Sequence, residues 1–299
     1  MTRRTLLATA AGAALAAGDR FKVCVFSKHF QWTDWKETAV LAAQLGFDGV
    51  DLTVREGGHV LPERVGEDLP RAVEILHQAG LETPMITAGI VDAASPHAER
   101  ILRTASSLGI RYYRWGGFRY QPTKGIAEQL EEFRPKVEAL AALNKAHKMC
   151  AMYHTHSGPG QVGASIWDLW VLLKGLDPWA VGVNYDIGHA TVEGGYGDWI
   201  TTTRLIAPYL RGTAIKDFRW GQNAKGEWVP QWCALGQGMV NFPRYFQMLR
   251  EAQFTGPVQL HFEYPELGGA DSGKSRMSIS KDRFLGIMRR DLQVLRSCL

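Results

Sequence analysis

Imidazole, carboxylate and amine side chains bunch at four places in the second half of the chain: Tyr153-His154-Thr155-His156-Ser157-Gly158, Asn184-Tyr185-Asp186-Ile187-Gly188-His189, Ala214-Ile215-Lys216-Asp217 and Leu260-His261-Phe262-Glu263-Tyr264. Each lies at the end of an apolar run of strand length. Alternate residues of an extended strand share a face, which pairs His154 with His156, Asn184 with Asp186, and His261 with Glu263. Imidazoles and carboxylates that arrive from neighbouring strands in one mouth are donors for a divalent cation. Taken singly, a His-x-His is common, Asp186 can cap a loop, and Glu263 can pair with an arginine. Together they are a signal, because ionisable groups at three adjacent buried strand ends are costly unless paired or metal-bound. Arg55, Gly57, Gly58 and His59 follow an earlier apolar run. A basic residue and an imidazole beside glycines suit an oxygen-rich or anionic substrate, and a surface turn explains the glycine pair equally well. Most of the 10 tryptophans read as core. A few are expected to stack on sugar faces, and Trp115 is the candidate.

The elements that must position these groups repeat. Leu45-Gly46-Phe47, Ala79-Gly80-Leu81 and Leu108-Gly109-Ile110 each end a helical pattern with a glycine and turn directly into a strand. The glycines are spaced 34 and 29 residues apart, the length of one strand-plus-helix unit. Eight strands are expected, centred on Val23–Phe26, Val50–Val54, Met85–Ala88, Tyr112–Trp115, Met149–His154, Val181–Asp186, Gly212–Lys216 and Val258–Glu263. Helix starts are expected at Ser95-Pro96, at Asp68-Leu69-Pro70 (with Leu69, Val73 and Leu76 on one face), and at a capping box Ser165-Ile166-Trp167-Asp168. Pro135 should kink or break the helix between Thr123 and Lys148. Eight alternating strand–helix units predict a single α/β domain with the (β/α)8 barrel architecture, its active site at the carboxyl ends of the strands. A doubly wound open sheet would need a glycine-rich phosphate loop after the first strand, and Ser27-Lys28-His29-Phe30-Gln31-Trp32 is none.

Length and composition agree with one large globular domain: 299 residues, 45 % hydrophobic and 21 % charged. Residues 1–18 carry Arg3-Arg4 before Leu6-Leu7 and then an alanine-rich apolar stretch, the pattern of a twin-arginine-like signal peptide. The barrel domain is assigned to residues 19–299, and the protein is expected to be exported to the periplasm or beyond. Setting aside Arg3 and Arg4 from 34 basic residues leaves 32 against 30 acidic ones, with no basic block, so a nucleic-acid partner is not expected. No later segment is long and apolar enough to span a membrane. The 4 cysteines show no metal-finger spacing.

Asp186-Ile187-Gly188-His189 after one strand, Lys216-Asp217 after the next, and Glu263 after the last resemble the xylose isomerase-like barrel superfamily, the sugar phosphate isomerase/epimerase group. The resemblance spans Phe21 to the final helix. It implies a divalent metal held at strand ends five to eight, with Asp186 and Glu263 matching two ligand positions and His189 matching a polar residue that contacts substrate. Two positions depart from the pattern: His154 stands where a Glu is expected, and Ala214 where a His is expected. With His154, Asp186 and Glu263 as ligands, a site richer in imidazole should prefer Mn²⁺, Co²⁺ or Zn²⁺ over Mg²⁺.

These observations imply a small-molecule carbohydrate as partner, and the group's members are often homo-oligomers. The reaction expected is isomerisation or epimerisation by proton abstraction next to a sugar carbonyl. Glu263, His189, Lys216 and His156 are the catalytic candidates, and Arg55, His59, Trp115 and His261 the substrate-binding ones. Two alternatives stay open. One is β-elimination from a keto-sugar, as in dehydratase and lyase relatives, with His154, His156 or His189 as the acid. The other is a sugar-binding barrel that has lost catalysis.

Overall fold

Gly46, Gly80 and Gly109 take φ of 91°, 77° and 79°, so the expected left-handed helix ends are present and each delivers the chain into a strand. The computed structural model describes residues 21–299; the expected leader lies outside the described residues. The strands are β1 (Val23–Phe26), β2 (Gly49–Val54), β3 (Met85–Ala88), β4 (Tyr112–Trp115), β5 (Cys150–His154), β6 (Val181–Asp186), β7 (Leu210–Ile215), β8 (Asp217–Gln222), β9 (Trp228–Cys233) and β10 (Val258–Leu260). Eight of them close a parallel barrel in the order β1-β10-β7-β6-β5-β4-β3-β2. Helices α1 (Trp35–Leu45), α2 (Val65–Gln78), α3 (Ala98–Ser107), α4 (Ile126–Ala146), α5 (Ile166–Leu173), α6 (Ile187–Gly194), α7 (Asp198–Ile206), α8 (Phe242–Glu251) and α9 (Lys281–Cys298) lie between and after the strands. The fold is a (β/α)8 barrel.

Several local expectations are corrected. α2 starts at Val65 and carries Pro70 inside it, although Leu69, Val73 and Leu76 are buried as expected. Each of those side chains contributes about 1.5–3 kcal/mol by leaving water. Ser95 does not cap α3: its Oγ accepts from the backbone N–H groups of Val91 and Asp92 and closes the preceding loop. The Ser165 capping box does not form, because Asp168 instead accepts from Gly163 N and Tyr120 Oη. α4 runs unbroken through the exposed Pro135.

β8 and β9 were not foreseen. They form an antiparallel hairpin directly after β7. Asp217 anchors the segment that follows, accepting from the N–H groups of Gly236, Gly238 and Val240 at 2.9–3.2 Å.

Beneath the mouth the barrel centre is polar. Asp51 Oδ2 accepts from Thr87 Oγ1 at 2.7 Å and from Gln259 Nε2 at 2.5 Å, and Gln259 in turn accepts from Asn184 Nδ2. All four residues are buried, and burial pushes the Asp51 carboxyl up to about 7.

Candidate active site at the barrel mouth

β6 ends at Asp186, whose Oδ1 accepts from His189 N at 3.1 Å and so caps α6. This N-cap is the local reason for Asp186-Ile187-Gly188-His189: one turn of helix folds His189 back over the strand that carries the aspartate. Gly188 is required by packing, since a Cβ there would stand 2.8 Å from both Cγ and O of Lys216 and 3.2 Å from Trp232.

Lys216, just past β7, ties the mouth together. Its Nζ donates to Glu263 Oε2 at 2.7 Å and to His189 Nε2 at 2.7 Å, and stands 3.2 Å from Asp186 Oδ2. With Nε2 accepting, His189 carries its proton on Nδ1 and donates to Ser157 Oγ at 2.7 Å. Glu263 also receives Lys28 Nζ at 2.5 Å on its other oxygen. Burial alone would lower the Lys216 ammonium, but Asp186 and Glu263 outweigh it and hold its pKa above the usual lysine value. Burial would raise Glu263, yet the two lysines take it well below the carboxylate range. Asp186 is raised to about 6 by burial, against the pull of Lys216.

The imidazoles are neutral. Burial lowers His154, His189 and His261 well below the ordinary value, and nearby Lys216 and Arg114 add to the effect. His156 falls to about 3 by burial and the Arg114 guanidinium, whose Nη2 lies 3.2 Å from His156 Nε2.

Donor atoms of His154, Asp186 and His261 all lie within 4.8 Å of one another. Among the described residues, His154 Nδ1 and both ring nitrogens of His261 are buried without a hydrogen bond, and the equally buried Asp186 Oδ2 faces the Lys216 ammonium at 3.2 Å. Unpartnered nitrogens of two neutral imidazoles beside a buried carboxylate oxygen fit a borderline divalent cation, so these three residues are a candidate metal site. The sequence-derived set named Glu263 instead of His261. Glu263 reaches the same mouth, but its oxygens are taken by Lys28 and Lys216 and it stands outside the trio.

The structure therefore brings together His154, His156, Asp186, His189, Lys216, His261 and Glu263. Two other candidates do not join them. His59 is held by Thr53 Oγ1 and Phe30 O, each 3.2 Å from a ring nitrogen, and lines a separate cavity with Trp35 and Ile75. Trp115 is buried in the helix-facing layer, donates to Val91 O at 2.7 Å and packs edge-on against Phe118 and Tyr153. Its neighbour Arg114 takes the opposite strand face and reaches the mouth. Arg55 arrives there too, its guanidinium 5.6 Å from the Phe26 ring centre.

Residues missing from the sequence-derived set are Lys28, His29, Arg114 and Trp232. His29 accepts from Phe262 N at 3.1 Å and pairs with Ala270 O at 3.0 Å, fixing the segment that carries His261 and Glu263. Trp232, from the hairpin, lies edge-on to His189 at 4.7 Å, with the Lys216 ammonium 4.5 Å from the centre of a Trp232 ring. It lines, with Glu263, Tyr264 and Arg219, an open cavity of about 600 Å³.

The comparisons agree with this architecture. A comparison with curated proteins found no match. Among solved structures, the chain is similar to the probable 3-DHS dehydratase AsbF of petrobactin synthesis from Bacillus anthracis, at 16 % identity over 92 % of this chain and 98 % of that one, TM-score 0.64. It is similar to the 3-keto-D-glucoside 4-epimerase YcjR from E. coli, at 14 % identity over 93 % and 100 % of the two chains, TM-score 0.66. It is also similar to the IOLI protein with a bound zinc atom, at 14 % identity over 93 % and 99 %, TM-score 0.67. A family described as xylose isomerase-like TIM barrel matches residues 39–284. The chain belongs to the xylose isomerase-like TIM barrel family.

Proposed function

We propose that this chain is a carbohydrate-processing enzyme of the isomerase/epimerase class that moves a proton next to the carbonyl of a small keto- or aldo-sugar. One observation carries the reading: a single ammonium, Lys216 Nζ, joins Asp186, His189 and Glu263 from three strand ends in one mouth. Glu263 is the base. Its side chain is 26 % exposed, whereas that of Asp186 is fully buried, so Glu263 is the carboxylate a substrate can reach. Lys28 and Lys216 lower its basicity, and the same two ammonium groups stabilise negative charge developing on the substrate oxygen. A substrate oxygen that draws Lys28 away from Glu263 raises the basicity of the carboxylate at the moment it is needed. His156, neutral and half-buried at the rim with Nε2 turned to Arg114, offers its Nδ1–H as a hydrogen bond to the substrate oxygen, and the proton taken up by Glu263 is the one returned to the substrate. His189 is fully engaged by Lys216 and Ser157 and positions the lysine. His154, Asp186 and His261 are the residues that would hold a divalent ion, with Mn²⁺, Co²⁺ or Zn²⁺ suited to the imidazoles; when bound it polarises the substrate carbonyl.

A second reading, β-elimination, is favoured by one feature. His154 takes the fifth-strand position where a carboxylate would give a second base, leaving Glu263 as the one reachable carboxylate of the pair with Asp186; the proton it removes from carbon is then passed to the departing hydroxyl, which leaves as water. Product analysis separates the two. Incubation with keto-sugars should return a sugar of altered structure at unchanged mass, and an unsaturated product absorbing in the near ultraviolet would replace this reading with the lyase. Residues 1–18 are proposed to export the protein, and replacing Arg3 and Arg4 by Lys should retain it in the cytoplasm.

A further inference from the structure

The mouth holds more positive charge than its carboxylates use. Lys28 pairs with Glu263, and Lys216 with Asp186 and Glu263. Arg55 and Arg114 are the remainder: among the described residues, neither has a carboxylate oxygen within 4.0 Å. Both stand beside the ring of Phe26, with guanidinium carbons 5.6 Å and 5.5 Å from its centre, and Lys28 Nζ lies 5.4 Å from the same point. His261 stacks on that ring at 5.1 Å. The only side-chain hydrogen bond of Arg114 among the described residues goes to His156 Nε2, and that of Arg55 is unmade. Asp51, beneath them on β2, accepts from Thr87 and Gln259 through Oδ2, and among the described residues its buried Oδ1 makes no hydrogen bond to either guanidinium.

Two half-buried guanidinium groups beside one apolar ring repel each other, and among the described residues neither is in contact with a carboxylate. Guanidinium is a planar fork matched to two oxygens of a carboxylate or phosphate. A neutral sugar would offer these forks only hydroxyls and leave the charge excess in place.

We infer that Arg55 and Arg114 form an anion subsite at the rim between β1, β2 and β4, and that the substrate is an anionic sugar whose carboxylate or phosphate binds there. This deepens the carbohydrate reading and rests on it for the word substrate. Bound there, the anion lies beside Phe26 and His261 while the sugar carbons face Glu263.

The test is binding of matched probes to the purified full chain by calorimetry: D-glucose, D-glucuronate and D-glucose 6-phosphate, at low and moderate salt. The expected result is that at least one charged probe binds ~10-fold or more tightly than D-glucose, with affinity falling as salt rises. Whether glucuronate or the phosphate ester is preferred identifies the anion. Arg55→Gln and Arg114→Gln should each lower charged-probe affinity ~10-fold and leave D-glucose unchanged. Arg55, at the rim, can be replaced without disturbing the barrel, and a melting curve checks the fold of each variant. Equal binding of charged and neutral probes, or variants that weaken all probes alike, overturns the subsite. Failure of the proton-transfer reading looks different: charged probes bind through the arginines, but no carbon-bound hydrogen exchanges with solvent.

Discussion

Replacing Lys216 by Met removes the one ammonium that faces Asp186 among the described residues, and its effect on stability follows from burial. The Asp186 side chain is fully buried, and that of Lys216 is 3 % exposed. Removing one partner of such a pair leaves a buried charge uncompensated, which costs about 3–5 kcal/mol. At roughly 2–3 °C per kcal/mol for a chain of this size, melting should fall by about 10 °C at pH 8. The sign of the pH dependence is fixed. The Asp186 carboxyl sits at about 6 with Lys216 present, above its usual 3.8. An acid raised in the folded state loses stability as pH climbs from the unfolded pKa to the folded one. Without Lys216 the folded pKa climbs further and the loss continues to higher pH. Wild type and variant should therefore converge toward pH 5, where Asp186 is protonated in both, leaving only the residual cost of the lost Glu263 contact. Adding Asp186→Asn should recover most of the deficit at pH 8. Thermal melts followed by circular dichroism at pH 5 and pH 8 read all of this. A deficit equal at both pH values, or untouched by Asp186→Asn, would refute the reasoning.

Asp51→Asn should become more stable relative to wild type as pH rises from about 4 to 7, because the wild-type carboxyl, pushed up to about 7, keeps its proton in the folded chain over a window in which the unfolded chain releases it. The full span corresponds to about 4 kcal/mol, and parallel denaturation curves across the range would contradict it. The ring signals of His154, His156, His189 and His261 should not titrate between pH 5.5 and 8 in NMR spectra, since burial and the neighbouring cations hold all four neutral. A midpoint near 6.5 for any of them would show that the mouth is less enclosed than its contacts imply.

The barrel was legible because its signals are local. Each helix-ending glycine at Gly46, Gly80 and Gly109 needs only its own φ, and each strand shows as an apolar run. The mouth was legible in part for the same reason: alternation brings His154 and His156 to one face, their rings 4.6 Å apart, and places Asp186 at a strand end. What the sequence hides is partnership across the barrel. Glu263 reads as a ligand until Lys28, 235 residues away, is seen to occupy it. Trp115 reads as a sugar platform because it ends a strand, yet alternation gives the mouth to one of Arg114 and Trp115, and only packing against Tyr153 decides which. The hairpin carrying Trp232 had a readable signal in the Asn223-Ala224-Lys225-Gly226 turn between two tryptophan-bearing runs, with Gly226 at φ 78°. Helix starts failed where a loop claimed the capping group first, as Val91 and Asp92 claim the Ser95 hydroxyl.

The most direct test of proton transfer at this mouth is deuterium wash-in. A panel of neutral and anionic keto-sugars is incubated in D₂O with the wild-type protein and with Glu263→Gln, and recovered sugar is read by NMR for carbon-bound label. The wild type should place deuterium at the carbon next to the carbonyl of at least one sugar, and Glu263→Gln should lose that labelling while still melting cooperatively, at a temperature lowered by the loss of its pairs with Lys28 and Lys216. No labelling across the panel, or labelling that survives in a folded Glu263→Gln protein, would contradict the account.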